Sequence, residues 1–141
     1  MITMSNNLNH KIKVLITKDE INEIVEGLAV KIAQDFEDQE LIIAGVLDGA
    51  FAFMTDLSRA LHEQGVERMI IDFVGMDTYG TGTTSSKEPR ITKDLKHDIR
   101  GKTVILVEDI VDTGYSLSVL RSLLLSRLPK KLVTVALLSK D

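Results

Sequence analysis

Cysteine is absent from the 141 residues, which excludes a disulfide framework and a thiolate zinc site and accords with a reducing compartment. Long apolar runs are absent too. The longest, LIIAGVL at residues 41–47, falls far short of the roughly 20 residues that a membrane-spanning helix needs. The N-terminal MITMSNNLNHK has no apolar centre of signal-peptide type. The sequence also lacks an excess of positive charge. With 17 basic and 21 acidic residues its formal net charge is -4, so no general attraction draws it to nucleic acid or to an anionic membrane. A local site for a small anion remains compatible with that balance. Together these absences predict a cytoplasmic protein whose partners include no nucleic acid and no membrane.

What is present reads as an ordinary globular chain, 44% apolar and 27% charged, of a length suited to one domain spanning 1–141. Strand-length apolar and β-branched runs occur at IKVLI (12–16), LIIAGVL (41–47), RMIIDFV (68–74), TVILV (103–107) and LVTVALL (132–138). Several are apolar at nearly every position, as in strands covered on both faces of a parallel sheet. Between them lie segments of helical period. After Thr17, whose TKDE can form a capping box with Glu20, the residues Ile21, Ile24, Val25, Leu28, Ile32 and Phe36 share a face. Phe53, Met54, Leu57 and Leu61 make a second stripe, and Leu117, Leu120, Leu124 and Leu128 a third. Strands alternating with helices predict an α/β fold with an open, mainly parallel sheet flanked by helices. In such folds ligands bind at the carboxyl ends of the strands. The irregular stretch GMDTYGTGTTSSKEPR (75–90) is rich in Gly, Thr and Ser, and is expected as a mobile loop or a long hairpin tip.

The carboxyl end of the fourth candidate strand concentrates charge. In VILVEDIVDTGYSL, four apolar residues deliver Glu108 and Asp109, with Asp112 three residues on. Adjacent carboxylates repel, so the pair calls for a cation, a diol or a set of donors between them. The turn Asp112, Thr113, Gly114, Tyr115, Ser116 then leads into a helix expected to start near Leu117. Its glycine permits φ > 0, and amides at a helix start can cradle an anion, with hydroxyls of Thr113 and Ser116 as further donors. Such a turn can also form with no ligand, the serine serving as an N-cap.

This stretch resembles the diphosphoribosyl-binding signature of type I phosphoribosyltransferases, and its Glu-Asp with a third Asp is similar to the hypoxanthine-guanine branch. GVLDGAFAFMTDLSRAL resembles that branch's pyrophosphate-loop segment, IDFVGMDTYGTGTTSS its flexible catalytic loop, and VALLSKD the strand ending in the base-recognising lysine. The resemblance runs from about Thr17 to the last residue, in the family's order, and implies a type I phosphoribosyltransferase-like core with a flexible catalytic loop over 75–92. It implies purine salvage: a magnesium-dependent transfer of the 5-phosphoribosyl group from phosphoribosyl pyrophosphate to a 6-oxopurine base, hypoxanthine or guanine, in a homodimer or homotetramer.

By that resemblance Glu108 and Asp109 would bind the ribose hydroxyls and the associated Mg2+, and Asp112 would handle the proton at N7 of the purine. Thr113, Gly114, Tyr115 and Ser116 would hold the 5-phosphate, and Asp48 and Gly49 would lie at the pyrophosphate. Thr78 and Tyr79 would match the Ser-Tyr pair that closes over the reacting sugar, and Lys140 would donate to the oxygen at C6. His10, His62 and His97 match no catalytic pattern and are expected at the surface. Two departures stand out. Family members commonly carry a basic residue before the glycine of the pyrophosphate loop, where this chain has Asp48. In the family a further segment follows the lysine and supplies an aromatic wall for the base. This sequence stops at Asp141, so the expectation is a core without the C-terminal base-binding hood, either truncated or with an unfinished base pocket.

Two other readings share parts of the pattern. A phosphoacceptor receiver module also has an acidic pair at a strand end, but on its first strand rather than the fourth. A regulator that binds phosphoribosyl pyrophosphate, with weak or impaired catalysis, would be expected to carry a basic RNA-binding face, against the overall acidity.

Overall fold

The computed structural model describes residues 17–79, 88–111 and 114–139. Its first helix, α1 (Lys18–Asp35), starts at the expected capping box: Thr17 Oγ1 accepts from the Glu20 amide at 3.2 Å, and Glu20 Oε2 accepts from the Thr17 amide at 3.3 Å. These two bonds satisfy donors that a helix start leaves unpaired. Val25, Ala29 and Ile32, spaced by four and three, are buried, whereas Ile24 of the same stripe is 39% exposed. Strand β1 (Leu41–Leu47) follows, then α2 (Phe51–Glu63), β2 (Met69–Tyr79), β3 (Glu88–Lys93), β4 (Thr103–Val111), α3 (Tyr115–Leu125) and β5 (Lys131–Ser139).

The strands form one sheet in the order β3-β2-β1-β4-β5. β1 pairs in parallel with β2 and β4, and β4 with β5, while β3 runs antiparallel along the β2 edge. The apolar runs at 41–47, 68–74, 103–107 and 132–138 thus become β1, β2, β4 and β5, as expected. The run at 12–16 lies outside the described residues. Strand β3 was not foreseen. Residues 75–79 extend β2 and residues 88–93 form β3, so both ends of the stretch expected as a mobile loop or a long hairpin tip are the arms of a hairpin. Pro89 is buried there, and Ile91 packs against the core. β3 escapes the periodicity because an edge strand buries little: its pattern is one buried residue among six.

Helices cover both faces. On one, α1 and α2 press Ile32, Leu57 and Leu61 against Leu41, Ile43 and Ile105. On the other, Leu120 and Leu124 of α3 meet Ile42, Ala44, Val104 and Leu106. Strands buried on both sides read as continuous apolar runs, which is why β1 and β4 were legible. Leu128 departs from its stripe. It lies beyond α3, at φ 59° and 59% exposed.

The strand order fixes where a site can form. From β1 the chain crosses to β2 on one side, and β4 lies on the other, so the crevice outside the carboxyl ends of β1 and β4 is the topological switch point.

Candidate functional site at the carboxyl ends of β1 and β4

Three segments meet at this switch point: the turn after β1 with Asp48 and Gly49, the end of β2 with Thr78, and the end of β4 running into α3. Val46, Leu47, Met76, Asp77, Thr78, Glu108, Ser116, Leu117 and Leu120 line a cavity of about 270 Å³ among them. A second cavity, about 450 Å³ and lined by residues including Phe36, Asp38 and Arg68, opens at the opposite, amino end of β1 and β2. It shares no residue with the expected site.

The parallel core of β4 is buried from Thr103 to Val107, and Glu108 and Asp109 are half-buried where the strand emerges. Burial pushes the Glu108 carboxyl up to about 7, and hydrogen bonding and repulsion from the Asp109 carboxyl push the same way, although the Asp109 amide donates to Glu108 Oε1 at 3.0 Å. Asp109 Oδ1 in turn accepts from the Ile110 amide at 2.7 Å. The pair therefore carries electrostatic strain that a cation or a set of donors would relieve.

Helix α3 begins at Tyr115, two residues earlier than expected, and its N-cap is Gly114 at φ 78°. The positive φ needs glycine there. No side chain caps the helix, so Ser116 is not an N-cap but a residue of the first turn, where it lines the cavity. The amides of Ser116 and Leu117 lie in that first turn, where a helix leaves donors without intrahelical acceptors. Likewise Asp48 does not cap α2: the N-cap position is Ala50, with no side-chain bond, and the Asp48 carbonyl accepts from the Phe51 amide at 3.3 Å. Asp48 and Gly49 are both exposed.

Thr78 sits near the end of β2, its amide bonded to Asp77 Oδ1 at 2.8 Å. A register shift between Gly75 and Met76 precedes it, and such bulges re-aim the side chains that follow. Tyr79 closes the strand. Of the other expected residues, Asp112, Thr113 and Lys140 lie outside the described residues, as do His10 and the loop tip 80–87. The structure thus brings together Asp48, Gly49, Thr78, Glu108, Asp109, Gly114, Tyr115 and Ser116 at one end of the sheet.

A buried carboxylate behind the site escaped the sequence reading. Asp72 on β2 is 2% exposed and accepts from the amides of Phe73 (2.8 Å), Lys96 (2.9 Å) and His97 (3.0 Å), and pairs with His97 Nδ1 at 2.8 Å. Burial opposes its charge, but the His97 bond and the three amides outweigh it and hold the carboxyl below the usual range. His97 is at the surface, as expected, yet tied to the core. A single Asp inside the apolar run MIIDFV was the available signal, since a buried acid requires partners.

The donor set suits a hard cation. Glu108 and Asp109 offer oxygen only, and no third acidic or histidine side chain converges with them among the described residues. A magnesium ion, which retains water and takes ligand oxygens from a phosphorylated substrate, fits such an incomplete set.

A doubly wound sheet with an acidic strand end and a glycine-initiated helix at its switch point defines a class, the α/β proteins that bind small ligands at that crevice. Comparison with known proteins narrows it. The profile of the phosphoribosyl transferase domain matches residues 17–141. The chain is 39% identical over 134 residues to the hypoxanthine phosphoribosyltransferase of Haemophilus influenzae, covering 93% of this chain and 73% of that one. It is 41% identical over 129 residues to the hypoxanthine-guanine phosphoribosyltransferase of Dictyostelium discoideum, covering 91% and 71%. Among solved structures, a hypoxanthine-guanine phosphoribosyltransferase of Bacillus anthracis superimposes with a TM-score of 0.83 at 35% identity, covering 92% of this chain and 75% of that one. The chain belongs to the phosphoribosyl transferase family, in its hypoxanthine-guanine branch.

Proposed function

We propose that this protein acts in purine salvage, transferring the 5-phosphoribosyl group of phosphoribosyl pyrophosphate to hypoxanthine or guanine, to give IMP or GMP and pyrophosphate. The observation that carries the reading is the acidic end of β4, which runs into a helix capped by Gly114 at φ 78° beside a cavity lined by Glu108 and Ser116. Relatives 39% and 41% identical carry that activity in their names.

In the reaction the bond from C1 of the ribose to pyrophosphate breaks and a bond from C1 to N9 of the base forms. A sugar losing its leaving group this way develops positive charge at C1, and the base must shed a proton. Glu108 and Asp109 hold the ribose hydroxyls, while amides of the Gly114 turn, with Thr113, Tyr115 and Ser116, receive the 5-phosphate. Asp112 accepts the proton from N7, and Lys140 donates to the oxygen at C6, which selects a 6-oxopurine over adenine. Thr78 and Tyr79 shield the reacting sugar from water, a competing nucleophile. Glu108 and Asp109 would hold a magnesium ion, which when bound would supply charge neutralisation for the leaving pyrophosphate. Asp48 cannot do so, hence on the protein's side the pyrophosphate relies on backbone amides of the loop. Residues 1–141 act as one core domain, in the cytoplasm, with the segment 75–92, whose ends are the paired arms of β2 and β3, as its catalytic segment. The exposed Leu123, Leu125 and Leu128 provide apolar area for a homodimer or homotetramer.

The test is product formation with hypoxanthine, guanine and adenine in turn, each with phosphoribosyl pyrophosphate and magnesium. IMP and GMP but no AMP is the expected result; AMP at a comparable rate would sink the base assignment. Asp112→Asn should lower kcat by about 100-fold or more while ribose 5-phosphate binding changes little. Equal losses in both would count against its place at N7.

A further inference from the structure

Gly49 faces the acidic end of β4 rather than open space. A Cβ built on it would stand 2.7 Å from Asp109 Oδ1, 3.0 Å from Oδ2 and 3.1 Å from Cγ, so its three nearest neighbours all belong to one carboxylate. Heavy atoms do not approach a methyl group so closely, and one side must yield. The backbone does not account for glycine here. The positive-φ glycines of the described residues are Gly65, Gly101 and Gly114, so position 49 is open to an L-residue as far as φ is concerned. What it lacks is room, and Asp109 takes that room.

The carboxylate has little freedom to retreat. Oδ1 is tied to the Ile110 amide at 2.7 Å, and Asp109 is half-buried beside Glu108, to whose Oε1 its own amide donates at 3.0 Å. A side chain at position 49 would either turn Asp109 away from Glu108 or lift the β1–α2 turn off β4. In both cases two parts of the switch-point crevice lose register.

We propose that Gly49 is a positioning residue: its missing side chain lets the Asp109 carboxylate seat against the β1–α2 turn, locking the pyrophosphate end of the site to the ribose end. The functional half of this statement rests on the reading of Asp109 given above; the geometric half does not. One ligand spans both ends, so an error in their spacing weakens its binding even when each end is intact.

The experiment is a double-mutant cycle with Gly49→Ala and Asp109→Ala, which separates a coupled pair from two independent effects. Two readouts are taken: the 13C resonance of the Asp109 side-chain carboxyl in the metal-free chain, and calorimetric binding of phosphoribosyl pyrophosphate with magnesium. Gly49→Ala is expected to move the Asp109 carboxyl resonance while leaving the amide resonances of β5 in place. It should also weaken binding by about fivefold or more, but by less than about twofold in the Asp109→Ala background. An unmoved resonance, or an equal loss of binding in both backgrounds, overturns the proposal. If Gly49→Ala alone does not fold, adding Asp109→Ala should restore folding, and failure to do so also overturns it. If the resonance moves but the parent chain binds no phosphoribosyl pyrophosphate, the seating of Asp109 stands and the functional reading falls.

Discussion

Glu108 shows how one residue can be costly to the fold and useful to the site. Its ordinary carboxyl value of 4.5 rises to about 7 through burial first, and then through the neighbouring Asp109. Between these two values the folded chain retains a proton that the unfolded chain has released. The stability of the metal-free protein should therefore fall as pH rises from about 4.5 to about 7, and level off above. Glu108→Gln removes that dependence, so the variant should melt higher than the parent at pH 8 in EDTA. Thermal melts across this range check the point, and a parent whose midpoint is flat or rises over the interval would contradict it. Magnesium bound at the pair should narrow the difference, because a cation favours the charged form. The acidic pair was visible in the sequence as charge at the end of an apolar run. What the sequence could not give was which carboxyl bears the strain, since that depends on how deeply each is covered.

Among the elements, the β2–β3 hairpin depends on a clasp at its root. Asp72 on β2 gathers the amides of Lys96 and His97 and the His97 ring, while Lys93 Nζ donates to the Phe73 and Asp94 carbonyls at 3.1 Å each. Asp72→Ala leaves these part-buried donors unmatched, at about 1–3 kcal/mol for each group that water does not reach. A loss of at least about 3 kcal/mol in urea unfolding is expected, with faster amide exchange at Lys96 and His97. A loss below about 1 kcal/mol would show that water replaces the clasp. The helices and the parallel strands were legible because each buries a regular face: Thr17 and Glu20 marked the start of α1, and Leu120 and Leu124 the inner face of α3. β3 was not, since Pro89 is its sole buried residue and an edge strand gains its place from pairing with β2. The clasp was hidden for a related reason. Residues 72 and 97 lie far apart in sequence, and only the fold brings them together.

Over the whole molecule, the sheet order decides what the residues can do. Asp48 and Gly49 follow β1, Glu108 and Asp109 lie toward the carboxyl end of β4, and the parallel β1–β4 pairing, which runs to Gly45 opposite Val107, brings the two segments to the same end of the sheet. The sequence supplied these loops as separate candidates; their convergence, and the contact of Gly49 with Asp109, come from the parallel register. The most direct test of the account follows phosphoribosyl pyrophosphate by 31P NMR in the presence of hypoxanthine, comparing the parent chain with the double variant Glu108→Gln, Asp109→Asn. The parent should convert it to IMP and pyrophosphate in equal amounts, with magnesium and not without. The variant should be slower by more than about tenfold, a loss of about 1.4 kcal/mol of transition-state stabilisation. Conversion by both chains at the same rate, or no conversion by the parent with magnesium present, would contradict the assignment of this acidic strand end as the site of phosphoribosyl transfer.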